Sequence, residues 1–299
     1  MTSEATDPPG LPAPPPPGTS ALPPGTYEGR VVLVTGGGSG LGKAIAAEFA
    51  RLGADLLIAG RTAGRLEAAR EELARAGDGR VAVAACDIRE PAAVARTFDA
   101  CEDAFGSRPD VLVNNAAANF PVPAEELSPN GWRAVVDITL TGTWFMTREF
   151  ARRHLAAGTP GSVVNIGASY AWTGGPGFAH SAAAKAGVKN LVETLAVEWG
   201  PYGIQVNGLV PGLMPHPDMT ADIRGALDRA PDQDARQPAL RVGHPRELGW
   251  AATFLASPYA RFISGHTLVV DGANWQRRAL VGDPVVPVRE QLGRRAFGD

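Results

Sequence analysis

The stretch VVLVTGGGSGLGKA, residues 31–44, changes character at its middle. Val31 to Val34 are apolar without alternation, which suits a strand covered by helices on both faces rather than one with a wet side. Glycines follow, and beyond Gly40 the pattern becomes helical. Gly36, Gly40 and Gly42 therefore fall at a strand-to-helix turn, with Leu41 between the last two. Missing side chains there let the backbone approach a diphosphate, and the helix N-terminus faces its charge.

The same beat continues along the chain. DLLIAG (55–60), RVAVAACD (80–87), DVLVNNA (110–116), GSVVNIGA (161–168), IQVNGLVP (204–211) and HTLVVDG (266–272) read as further strands, separated by helical patterns. Together with residues 31–36 they predict an α/β fold: one Rossmann-type, doubly wound domain over residues 28–275, with a seven-stranded parallel sheet flanked by helices. A chain of 299 residues with 44% hydrophobic content has ample material for that core. Residues 213–242, rich in Pro, Asp and Arg, form an irregular insertion past a strand's carboxyl end, where substrate loops tend to lie. Residues 1–27 hold nine prolines and no Lys or Arg, so they read as a disordered Pro-rich tail and not a secretory signal. Residues 276–299 form a C-terminal extension.

A net charge of −3 with mixed signs gives no basis for nucleic-acid binding, and no apolar run reaches membrane-spanning length. The expected partner is a small molecule. Two cysteines, Cys86 and Cys101, are too few for a disulfide framework and suit a reducing cytoplasm. His154, His180, His216, His244 and His266 make no pair at metal-ligand spacing, so no metal site is expected, and His180, which adjoins the site, reads as structural or exposed rather than catalytic.

The glycine spacing departs from GxGxxG and follows TGxxxGxG. With CDI after the third strand (Asp87, Ile88), NNAA after the fourth (Asn114, Asn115, Ala116) and PG after the sixth (Pro211, Gly212), the chain resembles the short-chain dehydrogenase/reductase family from about Gly29 to Gly272. The resemblance implies a nicotinamide cofactor, with Asp87 toward the adenine. At the end of the second strand Gly60 and Arg61 stand where an acid would receive a ribose diol, and a guanidinium can fork onto a 2′-phosphate. NADP(H) is therefore the expected cofactor, with Lys43 and Arg65 as lesser candidates beside Arg61.

Most of that family carries a Tyr four residues before a Lys. Here FAHSAAAKAG (178–187) offers Lys185 with Ser181 in the tyrosine position, Ala168 in the usual serine position and Thr139 in the usual asparagine position. An alkanol is too weak an acid to replace the phenol in carbonyl reduction. One phenol survives, Tyr170, fifteen residues before Lys185 and directly after the fifth strand. NNAAANFPVPAEELSPNGWRAVVDITLTGT, the Tyr170 to Lys185 spacing and AVEWGPYGIQVN resemble the 2,4-dienoyl-CoA reductases. That resemblance implies that Tyr170 and Asn119 hold the thioester carbonyl, that Ser181 lies close by, and that Lys185 binds the nicotinamide ribose. It also implies an acyl-CoA substrate, and a homotetramer through the helices near 131–156 and 181–199. Ala118 stands where that group often has Gly, so strain is expected before Asn119 if the loop needs positive φ. Arg236, Arg241, Arg277 and Arg278 flank the expected opening as candidates for the CoA phosphates.

Three other readings share these residues. The protein could be a 2-enoyl-CoA reductase for a branched or cyclic acyl group, a ketoreductase or alcohol dehydrogenase in which Tyr170 has replaced the lost tyrosine, or a silent NADP-binding sensor.

Overall fold

Strands apolar on both faces need cover on both, and the architecture supplies it. The computed structural model describes residues 9–219, 221–228, 232–277 and 283–284. Seven strands, β1 (Val31–Thr35), β2 (Asp55–Gly60), β3 (Val81–Ala85), β4 (Val111–Asn114), β5 (Gly161–Ile166), β6 (Ile204–Pro211) and β7 (Thr267–Val270), form one sheet in the order β3-β2-β1-β4-β5-β6-β7. Every pairing is parallel.

The helices are α1 (Gly40–Arg51), α2 (Ala63–Leu73), α3 (Pro91–Phe105), α4 (Pro129–Val136), α5 (Thr143–Ala157), α6 (Tyr170–Thr173), α7 (Ala179–Trp199), α8 (Ala221–Asp228) and α9 (Pro245–Ala256). On one face Val32, Val34, Leu56 and Ile58 pack with Ile45 and Phe49 of α1, Leu66 of α2 and Leu248 of α9. Their strand neighbours Val31, Leu33 and Leu57 point the other way, against Phe98 of α3, Phe150 of α5 and Leu195 of α7. Alternation in space therefore leaves no polar alternation in sequence. The strand order reverses between β1 and β4, and the crevice at their carboxyl ends is the place where such sheets take ligands.

Two expectations change. Residues 9–27, read as a disordered tail, lie against the domain: Leu11 N–H donates to Ala239 O at 2.8 Å, Arg241 Nε donates to Pro12 O at 2.9 Å, and Trp250 Nε1 donates to Thr19 O at 3.0 Å. Proline carbonyls accept hydrogen bonds even though the ring offers no donor, and Leu22 and the buried Tyr27 add apolar anchors. The insertion at 213–242 is not wholly irregular, because α8 forms within it. The four described residues of the 276–299 extension include Arg277, whose Nη1 donates to Arg236 O at 2.8 Å; Arg278 lies outside the described residues.

Candidate active site

Thr35 ends β1 with its hydroxyl pointing across to β4. The backbone N–H groups of Asn115 and Ala116 both donate to Thr35 Oγ1 at 3.0 Å. Asn115 Nδ2 in turn donates to Thr35 O at 3.1 Å and Gly36 O at 3.3 Å, bracing the glycine turn from beneath. Gly42 packs against that turn so tightly that a β-carbon there would lie 2.4 Å from Gly36 O.

These elements enclose a cavity of about 590 Å³ lined by Gly36, Gly40, Leu41, Arg61, Asp87, Ile88, Asn115 and Ala116, together with Arg65, Ile138 and His216. Most residues expected to hold the cofactor thus meet in one place, and the set fits a dinucleotide: bare backbone at a helix N-terminus, an exposed guanidinium at the rim, and apolar walls. Asp87 is fixed by Arg89, whose guanidinium hydrogen bonds hold its carboxyl below the usual carboxylate range.

Some expected residues fall elsewhere. Pro211 and Gly212 do not line this cavity; Gly212 borders a smaller one with Gln237, Arg241 and Asp271. Asn114 is structural, its Nδ2 donating to Thr147 Oγ1 at 2.8 Å and Asn165 Oδ1 at 2.9 Å. Lys43 pairs with Glu72 on the surface. Arg241 is held by Glu247, with Nη1 and Nη2 on the two carboxylate oxygens at 2.9 and 2.7 Å, which commits it away from a CoA phosphate.

α6 begins four residues past β5 and carries Tyr170 at its first position. Asn119, Tyr170, Ser181 and Lys185 do not line the large cavity, and Lys185 borders a separate, smaller one with Ala168 and Trp172. Ser181 and Lys185, one turn apart, are buried at the start of α7. Tyr170 Oη and Ser181 Oγ lie 2.9 Å apart, and Asn119 Nδ2 donates to Tyr170 Oη at 3.4 Å. The three residues therefore form one hydrogen-bonded line. Tyr170 stacks on Phe178 with centroids 6.3 Å apart, and its burial raises the phenol pKa, partly offset by the bond to Ser181. The phenol stays protonated at neutral pH, as a donor needs. Lys185 Nζ donates to Ile166 O at 2.5 Å, and burial pushes its pKa down to about 8.

The strain expected at Ala118 is absent. Among the described non-glycine residues, positive φ occurs at Asp232, Leu240 and Ala273. Thr139 supports the loop instead: its Oγ1 accepts from Ala118 N at 3.3 Å and lies 3.4 Å from Ala118 O as donor. Thr139 is fully buried in a π-helical segment, Asp137–Gly142, between α4 and α5. From the sequence alone Thr139 reads only as a substituted asparagine. His180 is buried, with its ring against Phe120 and its Nδ1 accepting from Ser181 N at 2.8 Å, so it caps a first-turn amide of α7.

Of the nearby aromatics, Phe178 stacks on Tyr170, Phe120 packs edge-on against His180, and Trp172 stacks on Trp275 at 5.4 Å. Among the described residues no helix is long and apolar enough to cross a membrane.

A family model described as enoyl-(acyl carrier protein) reductase matches residues 36–273. The probable 2,4-dienoyl-CoA reductase [(2E)-enoyl-CoA-producing] of Bacillus subtilis is 40% identical, over 83% of this chain and 97% of its own. The rat peroxisomal 2,4-dienoyl-CoA reductase [(3E)-enoyl-CoA-producing] is 37% identical, over 84% and 86%. Among solved structures, a short chain dehydrogenase from Bacillus anthracis superposes with a TM-score of 0.74 at 39% identity, covering 82% of this chain and 96% of the other. Such relatives imply a nicotinamide cofactor and an oxidoreductase acting on carbon–carbon bonds. The chain belongs to the short-chain dehydrogenase/reductase family, in the branch that resembles the 2,4-dienoyl-CoA reductases.

Proposed function

We propose that the protein reduces a conjugated enoyl thioester with NADPH, the leading substrate being a 2,4-dienoyl-CoA converted to a 3-enoyl-CoA. The observation that carries this reading is the line Asn119–Tyr170–Ser181, a phenol and a carboxamide meeting past the end of β5 while a serine stands four residues before Lys185. Arg61, exposed at the cavity rim with no acid beside it in the AGRT turn, supports NADPH over NADH.

When bound, the reduced nicotinamide supplies a hydride, and Lys185 is the residue to hold its ribose. Hydride addition at the far carbon of a dienoyl thioester sends charge through the double bonds to the thioester oxygen, giving an enolate. Tyr170 and Asn119 donate to that oxygen where charge develops, each donor contributing about 2.7 to 4 kcal/mol. Ser181 holds the phenol in place from the other side. Protonation then falls on carbon, where water serves, so the acid that carbonyl reduction needs beside the oxygen is dispensable. Protonation next to the thioester gives the 3-enoyl product, and protonation two carbons further gives the 2-enoyl product.

Phe178, stacked on Tyr170, offers an apolar surface suited to the acyl chain. Trp132, Leu155 and Val197, exposed on α4, α5 and α7, support burial of those helices in a homotetramer. The two buried free thiols suit a reducing cytoplasm, and burial pushes Cys101 up to about 12, which leaves it inert.

Single-turnover oxidation of NADPH and NADH with dienoyl-CoA, enoyl-CoA and ketoacyl-CoA, with the product's double bond located by NMR, tests the reading. Fastest turnover of the dienoyl-CoA with NADPH is expected. Faster turnover of ketones would assign a ketoreductase, and binding of NADPH with no turnover would assign a sensor.

A further inference from the structure

The segment after β6 turns back over the glycine turn. Asp218, 178 positions from Gly40 in sequence, accepts the Gly40 amide hydrogen through Oδ2 at 2.7 Å. His216 lines the same cavity with its ring over Gly40, Cε1 standing 2.9 Å from where a β-carbon would be. Arg224 of α8 holds the segment from behind, donating to Pro217 O at 2.5 Å and Met219 O at 3.3 Å.

Gly40 opens α1, so its amide is one of the N–H groups that a helix leaves without an internal partner. The first turn of α1 has no acidic residue of its own, and the anion at this terminus comes from a distant loop. Negative charge is favourable at such a terminus, and a dinucleotide's diphosphate is the negative group that the surrounding glycines admit. Asp218 therefore holds the place of a phosphate oxygen. A carboxylate and a diphosphate cannot share one amide proton, and their like charges repel at that distance.

We propose that Asp218 is an internal competitor of the cofactor's diphosphate, displaced with the His216–Asp218 segment when the dinucleotide binds and returning as it leaves. The inference rests on the cavity being a dinucleotide site and goes beyond it, because it makes cofactor affinity weaker, and release faster, than the glycine turn alone would set.

Fluorescence titration of the full chain with NADPH, beside adenosine 2′-monophosphate as a probe lacking a diphosphate, tests it. Asp218→Ala is expected to tighten NADPH binding about threefold to tenfold and to slow NADPH dissociation in stopped flow. Asp218→Asn, which keeps an acceptor but no charge, should tighten it less. Binding of adenosine 2′-monophosphate should stay unchanged. Unchanged or weaker NADPH binding by Asp218→Ala would overturn the proposal, as would an equal gain on both probes. Wild-type protein that prefers NADH corrects the choice of cofactor while the same comparison runs on NADH. Wild-type protein that binds neither dinucleotide overturns the cofactor reading and the inference with it.

Discussion

Tyr170 is half-buried and Lys185 buried, and loss of solvent acts on their pKa values in opposite directions. It keeps the Tyr170 proton on, which suits the donor role proposed for the phenol. Tyr170→Phe should lower kcat about 10² to 10³ fold with cofactor Kd nearly unchanged, as single-turnover rates and a binding titration would show. Ser181→Ala should cost less, because Ser181 orients the phenol from the side away from Asn119; a larger loss there would sink the role given to Tyr170. For Lys185, burial lowers the pKa from 10.5 to about 8. Below pH 8 folded and unfolded chains both carry the proton, and the cost of burying the ammonium is fully present. Between pH 8 and 10.5 the folded chain releases it first, so the unfolded state binds more protons and stability rises with pH. Relative to Lys185→Met, the wild type should therefore gain about 3 kcal/mol across that window. Urea unfolding of both proteins at several pH values isolates this contribution, and parallel curves would refute it. The same variant should bind cofactor more weakly.

Between α4 and α5 the chain widens into the π-helical segment Asp137–Gly142, an irregularity often found at functional sites. It places Thr139 against both backbone polar groups of Ala118, the residue before Asn119, which suits a positioning role for Thr139 in the proposed reaction. Thr139→Val should lower kcat about tenfold through misplacement of Asn119 and leave cofactor Kd unchanged. Thr139→Ser should restore the rate; equal loss in both variants would mean that packing, not the hydroxyl, matters. The sequence alone could not supply this contact, because it joins residues with no shared periodicity. The strands were legible for the opposite reason: each is apolar on both faces and ends at a turn signal. Their ends were less so. The fourth reads as 110–116, yet the ladder stops at Asn114, since the amides of Asn115 and Ala116 turn to the Thr35 hydroxyl rather than to a neighbouring strand. The glycine turn was legible from spacing, and Tyr170, Asn119 and Ser181 were singled out by the resemblance to the 2,4-dienoyl-CoA reductases, whereas Asp218 reaches Gly40 from 178 positions away in sequence.

At the scale of the whole molecule, the Pro-rich arm joins parts of the domain that are far apart in sequence. Residues 9–27 cross the 237–241 loop, run along α9 and end at Tyr27, whose hydroxyl donates to Thr253 O at 2.6 Å and whose ring meets Phe49 edge-on at 4.8 Å. Composition suggested a tether because so many prolines preclude a helix or a central strand. The same prolines reduce the freedom lost on docking, since their φ is already fixed, and carbonyls of the arm remain acceptors, Pro12 O for Arg241 and Thr19 O for Trp250. The arm thereby links α9 to the loop that borders Gly212 and the end of β6. Deleting residues 1–20 removes the hydrogen bonds at Leu11, Pro12 and Thr19 but keeps Leu22 and Tyr27. Each such bond contributes about 0.5 to 1.5 kcal/mol, set against the entropy the freed arm regains, so the net loss should be about 1 to 2 kcal/mol. For a domain of this size that lowers Tm by about 2 to 8 °C, measurable by calorimetry, while kcat on the proposed dienoyl-CoA should hold because Tyr170 and Asn119 lie on other elements. An unchanged Tm would mean that the arm rests on the domain without stabilising it. A collapse of kcat at constant Tm would mean that the 237–241 loop needs the arm to shape the substrate opening.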